Sequence, residues 1–182
     1  MTRIEQLASA NDAAIRAILD AAFGPDRHGR TAYRVRIGMA WLTDLSFAAY
    51  GESGALVGTL QCWPVALHLP DGGQAPLIMV GPVAVAPQVQ HRGIGRALMD
   101  RLIETVDTRQ YEPLMMIGDP DYYGRFWRFT AERTAGWAAP GPVERHRLLA
   151  RVGAGDDLPA AGLLGPRGVA IGTANAAMRA GG

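Results

Sequence analysis

One cysteine, Cys62, stands among 182 residues. A lone thiol can neither close an internal disulfide nor join a Cys/His set at zinc-ligand spacing. A reducing compartment suits such a chain. Charge imbalance is missing too: 18 Lys and Arg stand against 17 Asp and Glu, a net charge of +1, which supplies no broad drive toward nucleic acid or an anionic membrane surface. No run of eighteen or more apolar residues occurs. The richest stretch, residues 77–85, is short and broken by Gly81 and Pro82, so a membrane-spanning helix is not expected. Near the N-terminus Arg3, Glu5, Asp12, Arg16 and Asp20 interrupt any signal-peptide core. These absences predict a cytoplasmic protein with no nucleic-acid or membrane partner. What the chain has is 48% apolar and 19% charged residues, the balance of a globular domain with a real core.

Hydrophobic periodicity and turn chemistry divide the chain. Ser9, Asn11 or Asp12 can cap a first helix whose Ala14, Ile15, Ile18, Leu19 and Ala22 fall at helical spacing, and Gly24-Pro25 stops it. Residues 27–41 carry Arg27, His28, Arg30, Arg34 and Arg36 and read as a loop entering a short helix, exposed on one side. A hairpin is predicted from 45–50 and 55–69 around Gly51-Glu52-Ser53-Gly54, with Thr59, Gln61 and Trp63 on one face and Leu56, Gly58, Leu60 and Cys62 on the other. After Asp71-Gly72-Gly73 comes a buried strand, 77–86, with a bend or bulge at Gly81-Pro82.

From 94 to 106 the residues Ile94, Leu98, Leu102 and Val106 recur every four, the strongest helix in the chain. Residues 114–117 follow as a short strand, Asp119-Pro120 opens another helix, and 146–152 return as a last strand. Residues 153–182 are rich in Gly and Ala without periodicity and read as an appendage to a single domain at 1–152. Hairpins interleaved with helices predict a mixed α/β (α+β) layer architecture.

The chemistry concentrates where residues 83–98, VAVAPQVQHRGIGRAL, pass from a buried strand through a polar turn into the best helix. A helix start leaves backbone N–H groups free at a positive dipole end, and glycines there let an anion approach the main chain. A P-loop is excluded because no Lys-Ser or Lys-Thr follows the glycines. A dinucleotide fingerprint would need a third glycine where Leu98 stands.

The pattern Val-x-Val-x-Pro-x-x-Gln-x-x-Gly-x-Gly-x-x-Leu over Val83 to Leu98 resembles the coenzyme A signature of the GNAT superfamily of N-acetyltransferases. Residues 118–126, GDPDYYGRF, and 140–146, PGPVERH, are similar to its YhbS-like branch, and the resemblance extends over about 45–152. It implies a central, mostly antiparallel twisted sheet splayed at its middle strands, with helices on both sides. It further implies an acyltransferase that moves the acetyl group of acetyl-CoA to a primary amine of a small molecule or peptide by direct attack in a ternary complex. On this resemblance Gln90, His91, Arg92, Gly93, Ile94, Gly95 and Arg96 surround the pyrophosphate. Val83, Ala84 and Val85 bind the pantetheine and polarise the thioester through the backbone. Tyr123 supplies the acid, with Tyr122 the alternative. Where the family carries Gly-Phe after the tyrosine this chain reads Trp127-Arg128-Phe129. A non-catalytic acyl-CoA binding module would need the same loop but no acid near the sulfur.

Other candidates have plainer readings. No Glu or His lies on 77–86 to act as base, and Asp119 is better explained as a helix cap. Cys62, His28 and His68 lack partners at nucleophile or metal spacing, so no metal is expected. The basic stretch 27–36 lies where the family's first helices frame the acceptor and permits a carboxylate-bearing acceptor. Edge strands near the C-terminus offer pairing between two copies, a homodimer.

Overall fold

A computed structural model describes residues 2–153 and 155–168. Eight strands form one mostly antiparallel sheet in the order β1-β2-β3-β4-β5-β7, with β8 paired to β3 and β6. The chain folds as two compact units, one holding residues up to Gly29 with Ala40–Trp63 and Val80–Tyr111, the other Arg30–Met39, Pro64–Met79 and residues from Glu112 on. Two long strands, β3 (Leu56–His68) and β4 (Gln74–Val85), supply residues to both.

In the first unit, α1 (Asp12–Phe23) begins where the Asn11 side chain accepts from the N–H groups of Ala13 and Ala14 at 2.8 and 3.3 Å, satisfying two donors that a helix start leaves open. Its Ile15, Ile18 and Leu19 pack with Leu7, Ala48 and Ala84, joined by Trp41, Tyr50 and Leu56. β1 (Arg3–Gln6) pairs antiparallel with β2 (Phe47–Tyr50). Its sequence, RIEQ, has a single apolar residue and is a strand because β2 offers it a partner.

The hairpin forms as predicted except in its faces. The β2–β3 register shifts between Ala49 and Tyr50, so Ala49 faces Gly58 while Tyr50 faces Leu56. A bulge reverses the alternation, and Leu56 joins the α1 core while Gly58 faces α3 (Ile94–Arg109). α3 is the helix expected from its periodicity, with Ile94, Leu98, Met99, Leu102 and Val106 buried. Each such side chain contributes about 1.5–3 kcal/mol on burial.

β4 runs unbroken through the predicted bend. The Gly81-Pro82 peptide is cis, and Trp63 Nε1 donates to the Gly81 carbonyl at 2.8 Å.

In the second unit, β4 pairs parallel with β5 (Leu114–Ile117), Ile78 facing Leu114 and Met79 facing Met115, and β5 pairs antiparallel with β7 (Leu148–Arg151). The short helix expected within 27–41 is α2 (Thr31–Val35), and the stretch is exposed on one side as expected, at His28, Arg30 and Arg34, while two of its arginines are buried. Arg27, in the first unit, is buried against Asp20, and Arg36 is buried beside the Tyr33 ring.

The stretch expected as an appendage from 153 supplies a strand, so the sheet does not end at 152. β8 (Ala161–Pro166) pairs antiparallel with β3, Val65 facing Pro166 and His68 facing Leu163, and parallel with β6 (Gly136–Ala138). Trp137 Nε1 donates to the Pro159 carbonyl at 2.9 Å. Arg167 donates to the carbonyls of Val65 (3.2 Å) and Leu77 (2.6 Å) and to Glu112 (2.8 Å). A Gly- and Ala-rich strand carries little propensity of its own, and these partners decide its conformation. Residues 169–182 of the expected appendage lie outside the described residues.

Candidate active site

The sequence around residues 83–96 folds as a strand end, one turn of 3-10 helix at Pro87–Val89, and a polar turn into α3. Of the ten donor-binding candidates, Val83, Ala84 and Val85 lie on the end of β4, Gln90, His91 and Arg92 in the turn, and Gly93 caps α3. Ile94, Gly95 and Arg96 form the helix's first turn. All ten belong to the first unit. His91 and Gly93 have φ of 65° and 78°. Left-handed residues of this kind, on both sides of Arg92, are a building block of anion-binding nests.

Gly93 caps α3 without any side-chain hydrogen bond, and no acidic residue occupies the first turn. The first intrahelical bond runs from the N–H of Ala97 to the Gly93 carbonyl, at 2.9 Å. The N–H groups of Ile94, Gly95 and Arg96 therefore precede the ladder at the positive end of a 16-residue helix. Arg92 is exposed and makes no ion pair among the described residues. An anion would meet uncapped amides and a free guanidinium, with no carboxylate of the first turn competing.

α3 packs on the ends of β3 and β4 through glycines. A Cβ at Gly95 would stand 3.6 Å from Val85 Cγ2, ordinary contact. One at Gly58 would stand 2.9 Å from Ile94 Cγ2, 3.2 Å from the Ala84 carbonyl oxygen and 3.2 Å from Leu98 Cδ1. The bare Gly58 thus seats the helix start against the strand end. Sequence reasoning did not single Gly58 out as part of the site, although a glycine inside a strand pattern commonly marks a close backbone approach.

Tyr123 belongs to the second unit, on α4 (Pro120–Trp127). Asp119 is the N-cap there, accepting from the Asp121 N–H at 3.0 Å. The two tyrosines differ sharply in setting. Tyr122 is exposed, while the Tyr123 ring is mostly enclosed, tilted against Trp127 and edge-on to Phe129. Its ring also lies on Gly118, where a Cβ would come within 2.8 Å of Cδ2 and Cε2. Burial, and then the neighbouring Tyr122 and Asp119, push the Tyr123 phenol up to about 12, with Arg147 pulling the other way. A phenol so placed keeps its proton at any physiological pH and can donate a hydrogen bond to developing negative charge.

The remaining candidates have structural partners or settings. His68 Nε2 lies 3.0 Å from the Pro166 carbonyl oxygen. Cys62 is fully buried and its thiol is pushed far up by burial, which suppresses the thiolate a nucleophile needs.

A family model described as an acetyltransferase (GNAT) domain matches residues 4–127. No curated protein matches the chain by sequence. Among solved structures, the chain is similar in fold to the GNAT family N-acetyltransferase YhbS from Escherichia coli in complex with CoA. That likeness has a TM-score of 0.62 and 21% identity over 82% of this chain and 79% of that one. A GNAT family acetyltransferase from Brucella melitensis in complex with acetyl-CoA is similar with a TM-score of 0.51 and 23% identity, over 86% of this chain and 99% of that one. The ribosomal-protein-S18-alanine N-acetyltransferase from Escherichia coli gives 0.51 and 19%, over 82% and 90%.

Proposed function

We propose, because this chain belongs to the GNAT acetyltransferase family, that it transfers the acetyl group of acetyl-CoA to a primary amine of a small molecule or peptide. The observation that carries this is the start of α3: uncapped amides behind a left-handed Gly93, free of acidic side chains, at the end of the Val83 to Val85 strand. Two fold neighbours were crystallised with CoA and acetyl-CoA, which supports the same donor here. Residues 90–96 hold the pyrophosphate, and the backbone of Val83, Ala84 and Val85 holds the pantetheine and polarises the thioester carbonyl.

The neutral amine attacks the thioester carbonyl carbon, the new C–N bond forms, and the C–S bond breaks. The proton lost by nitrogen ends on the CoA sulfur. Tyr123 donates a hydrogen bond to that sulfur as its charge grows. Because its phenol is a weaker acid than a thiol of ordinary pKa about 8.5, it stabilises the thiolate and remains protonated itself. A reducing cytoplasm suits the buried free thiol of Cys62. No described helix is long and apolar enough to cross a membrane.

Thiol release from acetyl-CoA over a panel of amines tests the proposal. Amine-dependent release is expected. Saturable acetyl-CoA binding with no acetylated product from any amine would refute it and favour a binding module.

A further inference from the structure

We infer that the acceptor is an amine that also carries a carboxylate, and that Arg147 is the residue that reads it; this rests on the acetyltransferase reading above. Arg147 directly precedes β7 and is tied to Gly118 twice. Its carbonyl accepts from the Gly118 N–H at 2.9 Å, and its Nε donates to the Gly118 carbonyl at 3.4 Å. Gly118 is the residue on which the Tyr123 ring lies. Arg147 and the proposed hydrogen-bond donor Tyr123 therefore meet at one glycine, and the guanidinium lies near enough to favour the ionised phenol.

Several other arginines of this unit are committed, while Arg125 and Arg128 are exposed on or beside α4. Arg145 donates to the carbonyls of Ala135 and Trp137, Arg151 to that of Trp127, Arg133 pairs with Asp157, and Arg167 with Glu112. Arg147 is exposed and has no carboxylate partner among the described residues. Two nearby acids are already engaged: Asp119, next to Gly118, caps α4, and Glu144, three residues before Arg147, lies 3.4 Å from His146. With Nε anchored, both Nη groups of Arg147 remain as a planar fork, the geometry that grips a carboxylate through two parallel hydrogen bonds. A carboxylate held there keeps an amine of the same molecule within a few bonds of Tyr123. The basic stretch 27–36 supports such a substrate less directly, since Arg27 and Arg36 are buried.

The test pairs acids with their amides, glycine with glycinamide and β-alanine with β-alaninamide, and measures thiol release by the full chain and by R147K and R147Q. The wild type is expected to favour the acid of each pair by at least about tenfold in kcat/KM, the range of a charge-assisted hydrogen bond. R147Q should collapse that ratio toward one through KM for the acid, and R147K should recover part of it. An acid-to-amide ratio near one in the wild type overturns the inference. So does a ratio that persists in R147Q while both substrates slow together, since that is the mark of an arginine that only props Gly118. Failure of every amine, acid or amide, alongside intact acetyl-CoA binding, instead overturns the acetyltransferase reading and this inference with it.

Discussion

Adding one methyl group at Gly58 should damage donor binding more than its distance from the loop suggests. In Gly58→Ala the new Cβ meets Ile94 Cγ2 at 2.9 Å, the Ala84 carbonyl oxygen at 3.2 Å and Leu98 Cδ1 at 3.2 Å. The Ala84 oxygen is backbone and cannot rotate away, so the relief must come from Ile94 and Leu98, which both sit on α3. Overpacking of this kind costs about 1–3 kcal/mol. Loss of glycine's freedom in the unfolded chain offsets about 0.4–1 kcal/mol of that. A net destabilisation of about 1–2 kcal/mol is expected, a fall in Tm of roughly 2–8 °C for a chain of this size.

The functional effect follows from where the strain goes. Ile94 is the first helical residue after Gly93, and pushing it outward displaces the same amides that are proposed to meet the pyrophosphate. KM for acetyl-CoA should therefore rise several-fold while kcat changes less. A double-mutant cycle with Ile94→Ala isolates the contact, because that change removes the clashing Cγ2. The two changes should couple by about 0.5–2 kcal/mol, Gly58→Ala costing less when Ile94 is already truncated. An unchanged Tm, an unchanged KM and strict additivity would together refute the idea that Gly58 seats the helix.

Four further outcomes are expected. Gly93→Val forces a β-branched residue into a φ of 78° at a cost of about 1–2 kcal/mol, and calorimetric titration with CoA should show weakened affinity; wild-type affinity would remove this turn from the donor site. Tyr123→Phe should lower turnover by roughly 10- to 1000-fold while the Kd for CoA stays nearly the same, and undiminished turnover would dismiss the phenol. The same substitution should change alkaline unfolding. Folded Tyr123 ionises near 12 against about 10 when unfolded, so its contribution to stability is fully present below pH 10 and lost as pH rises through 12. That contribution is at most about 2.7 kcal/mol, and denaturant titrations between pH 9 and 12 should show a shallower decline in the phenylalanine variant. Finally, Arg167→Ala removes three hydrogen bonds from β8 and its neighbours and should cost roughly 2–4 kcal/mol, read as a fall in the urea midpoint.

The two helices beside the candidate site were legible in the sequence because their signals are local. Gly93, the four-residue rhythm from Ile94 to Val106 and the Asp119-Pro120 cap each act within a few positions of the element they specify, and α3 and α4 begin where those signals put them. β1, β6 and β8 were not legible. RIEQ, GWA and AGLLGP carry weak or mixed alternation, and each is a strand because a partner distant in sequence completes it. The position of Leu56 was misjudged for a related reason: a bulge leaves no mark in composition yet reverses every side chain beyond it. Arg147 was hidden in the run Arg145-His146-Arg147, where only the fold distinguishes an arginine holding two carbonyls from one with its fork free.

The β3–β8 pairing sets a clock on biosynthesis. Val65 faces Pro166, 101 residues later (166 − 65), and at 5–20 residues per second that interval takes roughly 5–20 s. Through it the segment Val65, Ala66, Leu67 and His68, three of whose side chains are fully buried in the finished fold, waits with an open backbone edge, the kind that recruits stray strands from other chains. A nascent chain stalled before Pro166 would hold that edge open, so the hazard of misassembly depends on how fast the message between these two positions is read.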